Sequence, residues 1–166
     1  MRKLLALMLF VLPFAAMAQT APNLLGPWTI GLLDGHVVDE NGVRQSFPYA
    51  ELRVDVSSVQ QMEGGWTFFS GSVAGYSNSS ITIFHNAATP EYIEVSMYFS
   101  PPTLGGVGSP YFYQLRLQMF LSPGGDYLYG AMTASLYDSL RGPEGTATVV
   151  VLYHSDVVML RPGGKG

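Results

Sequence analysis

The feature that most constrains this chain is a strict alternation of apolar and polar residues along three segments. From Ala50 to Val56, Ala50, Leu52, Val54 and Val56 fall on one side and Glu51, Arg53 and Asp55 on the other. From Tyr92 to Phe99, Ile93, Val95, Met97 and Phe99 alternate with Tyr92, Glu94, Ser96 and Tyr98. From Tyr111 to Leu121, Tyr111, Tyr113, Leu115, Leu117, Met119 and Leu121 alternate with residues that include Gln114, Arg116 and Gln118. Side chains of a strand point alternately to its two faces, so each segment reads as a strand with one face on a core and one in water. After residue 20 no stretch of useful length places apolar residues three and four apart, as an amphipathic helix would require.

Runs of β-branched and aromatic residues between turn signals predict further strands at Trp28 to Leu33, His36 to Asp39, Trp66 to Val73, Ser80 to His85, Tyr127 to Tyr137, Thr146 to His154 and Val157 to Leu160. Asn41-Gly42 reads as a two-residue type I′ hairpin turn, with both residues at positive φ. Gly64-Gly65, Pro123 to Asp126 and Gly142 to Gly145 mark further reversals. About ten strands with no helix to cover them predict an all-β domain. The expected form is an antiparallel up-and-down β-barrel of about eight to ten strands, with a β-sandwich as the alternative. Charge on the polar strand faces (Glu51, Arg53, Asp55, Glu94, Arg116) places the apolar faces inside, against a membrane barrel that would turn them to lipid. Ser100 to Pro110, with three Pro and three Gly, interrupts the pattern and reads as a rim loop between two stable strands.

The first 18 residues read as a secretory signal peptide. Arg2 and Lys3 are followed by the apolar run Leu4 to Leu12, then Pro13 and the small-x-small site Ala16-Met17-Ala18. Residues 19–166 are then a single domain, with no membrane span after cleavage. Losing Arg2 and Lys3 leaves six basic against twelve acidic residues, a net charge of −6. With no clustered Lys or Arg, nucleic acid is excluded as a partner. The absence of Cys excludes disulfides, a thiol nucleophile and Cys-ligated zinc. An exported chain without Cys fits a bacterial periplasmic or secreted protein.

The first strand opens with Gly26-Pro27-Trp28. This resembles the Gly-x-Trp opening of the calycins, the small barrels that include lipocalins and avidins. The resemblance implies that Trp28 closes one end of a barrel and that Arg161, near the last strand, packs over it. The chain lacks the lipocalin Thr-Asp-Tyr loop motif, their disulfides and their C-terminal helix.

Catalytic and metal signatures are missing from the sequence. His36, His85 and His154 form neither His-x-His nor His-Glu-x-x-His, so no metal or other cofactor is expected. His154-Ser155-Asp156 cannot form a triad on a strand, since neighbours face opposite ways, and it reads as a turn. His85 shares a face with Ile81 and Ile83 and is expected to point inward. Tyr111, Tyr113, Tyr127 and Tyr129 offer apolar area with a polar tip on two neighbouring strands. With His85 they form the candidate ligand-binding set, while Trp28 and Arg161 are structural. The expected function is a non-enzymatic exported protein that binds a small apolar molecule or a protein partner. The alternatives are a surface interaction protein with a filled interior, and an enzyme using a His and a carboxylate at the barrel mouth.

Overall fold

The structure, a computed structural model, describes residues 21–101, 109–140 and 148–162. Nine strands account for most of them: β1 (Gly26–Asp39), β2 (Arg44–Phe47), β3 (Ala50–Gln61), β4 (Trp66–Val73), β5 (Ser79–Asn86), β6 (Tyr92–Phe99), β7 (Tyr111–Leu121), β8 (Tyr127–Asp138) and β9 (Thr148–Leu160). No helix among the described residues is long and apolar enough to cross a membrane. The signal-peptide reading at 1–18, residues 102–108 of the expected rim loop and the Gly142 to Gly145 turn lie outside the described residues.

The expectations of a calycin-type up-and-down barrel and of a β-sandwich are both corrected. All nine strands belong to one antiparallel sheet, in the order β2-β1-β3-β4-β5-β6-β7-β8-β9, with β9 also paired to β1. The ring of hydrogen bonds is not symmetric about an axis, so no calycin-type barrel forms. The physical reason lies in β1. Its first half pairs with β3 (Gly26 with Val56 through Leu32 with Ala50), and its second half with β2 (Gly35 with Phe47 through Val38 with Arg44). Strand neighbours therefore depart from chain order at the very strand where a regular meander would have to close. On the other side of β1, β9 runs along both halves, with a register shift between Leu32 and Gly35.

That irregularity also explains two misread strands. The sequence suggests a break at residues 34–35 and another at 155–156; each is instead a continuous strand. Ser155, buried in the sheet, donates its hydroxyl to the carbonyl of Leu33 at 2.5 Å, satisfying a backbone group that the bulge frees. At the first turn, Gly42 has φ 78°, whereas among the described residues none other than glycine has positive φ. The turn is therefore not type I′. Asp39 holds it instead, its carboxylate accepting from the amides of Asn41 and Val43 at 2.9 and 2.8 Å.

The core lies on a single face of the sheet. Ile30, Val54, Phe69, Ile83, Val95, Leu117, Met132 and Val157, drawn from eight strands, are at most 2% exposed. Among the described residues neither a helix nor a second sheet covers this face, so the sheet curls until its apolar side covers itself. Two glycines permit the bend. A Cβ on Gly71 would sit 1.9 Å from the carbonyl oxygen of Asp55, and one on Gly130 would sit 1.9 Å from that of Gln118. Only a residue without a side chain allows neighbouring strands to approach in this way.

Candidate functional site

Two ends of the buried face differ in chemistry. At one end an apolar cavity of about 270 Å³ opens above Leu115 and Met132. Leu32, Ala50, Leu52 and Ala134 line its walls, and an arc of aromatic rings surrounds it. Tyr76 lies 4.6 Å from Phe99, Phe99 lies 5.2 Å from Tyr113, Tyr113 lies 5.9 Å from Tyr153, and Tyr153 lies 6.1 Å from Phe47 (ring centroids). The arc thus runs from the residues after β4 through β6, β7 and β9 to β2. Strand alternation puts each ring there: Phe99 pairs with Tyr113 across β6 and β7, on the face of Leu115.

The cavity has one polar handle. The Tyr153 hydroxyl is hydrogen-bonded to Tyr113, and burial first, then that bond, pushes it above the ordinary tyrosine value. Tyr153 is therefore neutral at physiological pH. The site combines apolar walls with a hydroxyl pair able to meet one polar group of a bound molecule.

Of the candidate ligand-binding residues, only Tyr113 belongs to this cavity. Antiparallel pairing separates the others. Tyr111 pairs with Asp138 at the end of β7 and is 41% exposed. Tyr129 pairs with Phe120 at the far end, and Tyr127 follows it to the β8–β9 register at Leu160. Both rings are exposed on the outer face, 6.2 Å apart. Sequence reading missed Phe47, Tyr76, Phe99 and Tyr153. Phe99 was within reach, since it shares the apolar face of its strand with Met97 and ends that strand opposite Tyr113 of the next.

His85 points inward as expected but sits at the opposite end. It is 1% exposed; its Nε2 lies 3.2 Å from the carbonyl of Pro90, while Nδ1 is buried without a partner among the described residues. The carbonyl can only accept, so Nε2 carries the proton. Nearby, Trp28 is 1% exposed and donates its indole N–H to the carbonyl of Leu24 at 2.9 Å. The Arg161 guanidinium lies 4.6 Å from the Trp28 ring centre and donates to the carbonyls of Leu25 and Asn23. These groups fasten the segment before β1 to the end of β9.

His36 and His154 face outward as a cross-strand pair, rings 5.4 Å apart, with Arg44 Nη2 3.1 Å from His36 Nδ1. Desolvation, then the charges of Arg44 and His154, hold His36 below its ordinary value. Among the described residues no three His, Asp or Glu come together to hold a metal ion. No protein-family model matches this chain, and no curated protein matches it.

Proposed function

We propose that this protein is a non-enzymatic binding protein, acting outside the bacterial cytoplasm, that takes a small apolar molecule into the aromatic cavity. The observation that carries the reading is the five-ring arc from Tyr76 to Phe47 around an apolar space of about 270 Å³. That volume lies just below the usual range of roughly 300–1,000 Å³ for ligand sites, which favours a compact molecule over a long lipid chain. The Tyr113–Tyr153 hydroxyl pair would orient one polar group of the ligand. Export is supported by the signal-like sequence from Met1 to Ala18.

The test is titration with N-phenyl-1-naphthylamine, whose fluorescence rises in apolar surroundings. Saturable binding that is weakened at least about tenfold by Tyr113→Ala is expected, corresponding to about 1.4 kcal/mol of lost contact. Mass spectrometry of small molecules retained by the exported protein would then identify the natural ligand. Probe binding that survives both Tyr113→Ala and Phe47→Ala unchanged would refute the assignment.

A further inference from the structure

The outer face of the sheet carries two grooves, separate from the inner cavity. Arg116, exposed at the middle of β7, makes no hydrogen bond or ion pair among the described residues. It separates two grooves of about 320 and 290 Å³ and lines both. The register sets what surrounds it. Phe84 pairs with Glu94 and Glu94 with Gln118; Ser96 pairs with Arg116 and Arg116 with Thr133. A polar track therefore crosses from β5 to β8, with Phe84 at one end and Tyr137 at the other. Three strand spacings across and six residues along β8, from Ala131 in register with Phe84 to Tyr137, put its ends about 24 Å apart. Both terminal rings are held in place. Phe84 meets Phe68 edge-on at 5.1 Å, and Tyr137 stacks on Phe112 at 4.8 Å with 6° between planes.

We infer that this track binds a neutral oligosaccharide. The track holds both signs of charge, Glu94 and Arg116, so neither a polyanion nor a polycation matches it along its length. Sugar hydroxyls match both, since each can donate to a carboxylate and accept from a guanidinium. Gln118 and Thr133 add groups that donate and accept. The flat apolar faces of sugar rings suit the preset rings of Phe84 and Tyr137, as the length of the track suits a short chain rather than one sugar. Holding rings and polar groups in place beforehand lowers the ordering cost of binding.

Affinity electrophoresis in gels containing xylan, glucomannan, laminarin or hydroxyethylcellulose tests the inference. At least one of these should retard the protein. Arg116→Ala and Phe84→Ala should each weaken retardation at least about tenfold, with the thermal midpoint kept. Arg53→Ala, on the outer face but away from the track, should change nothing. Binding of the naphthylamine probe should be the same in Arg116→Ala and wild type, which separates this site from the inner cavity. Three outcomes would overturn the inference: no retardation by any neutral polysaccharide, retardation unaffected by both track variants, or retardation by alginate alone that high salt abolishes.

Discussion

Gly130→Ala puts the packing argument at its greatest risk. In a strand without special demands the change should help slightly, because alanine restricts the unfolded chain by about 0.4–1 kcal/mol. Here the new Cβ would lie 1.9 Å from the carbonyl oxygen of Gln118, where ordinary contact begins at 3.4 Å. Relief requires β7 and β8 to part by more than 1 Å, roughly, which a hydrogen bond of about 2.9 Å does not survive. Losing two ladder bonds costs about 2–3 kcal/mol, and the strain of overpacking adds about 1–3. A total of about 3–6 kcal/mol is a large part of the roughly 5–15 kcal/mol that holds a domain of this size. Urea unfolding followed by tryptophan fluorescence measures it, with buried Trp28 reporting on the core. Gly75→Ala is the control: nothing lies within 4 Å of its Cβ and only its φ of 87° is strained, costing about 1–2 kcal/mol. If Gly130→Ala is as stable as wild type or as Gly75→Ala, the close approach of β7 and β8 is wrong.

Other substitutions and titrations probe separate parts of the molecule. Leu117→Asp, at a position 1% exposed, should abolish the cooperative melt, while Arg116→Asp on the outer face should leave it within about 0.5 kcal/mol. Arg161→Ala removes the cation over Trp28 and two bonds to carbonyls, and should lower stability by about 1–2 kcal/mol in the same urea assay. Tyr153 ionises later in the folded chain than in the unfolded one, so its contribution is intact below about pH 10 and is lost as pH rises further. Ultraviolet titration should show one fewer late-titrating tyrosine in Tyr153→Phe, and alkaline melts should show a shallower loss of stability.

Alternation located β6 and β7 to the residue, because most of each strand has one buried and one wet face, and the run of aromatic and β-branched residues located β4. It failed where a strand lacks that contrast. In β2, Arg44, Gln45 and Ser46 are exposed and only Phe47 turns toward the interior, so no period shows. In β9, the polar trio His154-Ser155-Asp156 looks like a turn, yet Ser155 goes inward to meet the bulge of β1 more than a hundred residues away. Local sequence cannot reveal such a partner. The same limit hid the division of β1 between β2 and β3, and with it the departure from a regular barrel. Tyrosine identity was legible, but antiparallel pairing decided which tyrosines meet: Tyr113 joined Phe99 and Tyr153, while Tyr127 and Tyr129 went to the opposite end and the outer surface.

The pairing of β9 with β1 sets the order in which the molecule can assemble. Neighbours from β3 to β8 follow one another in chain order and can zip together as they emerge from synthesis. The contact between Ser155 and Leu33, by contrast, closes a loop of 122 residues. The entropy of that closure is met only when the final strand arrives, so high contact order makes it a slow, late event. Until then the free side of β1 stands as an unpaired edge, open to a strand from another chain. Arg161 and Trp28 lie where the two ends of the seam meet, so their contact latches the nearly finished sheet. Variants that loosen this latch would reveal themselves first as poor folding yield, through chains that pair with one another before they pair with themselves.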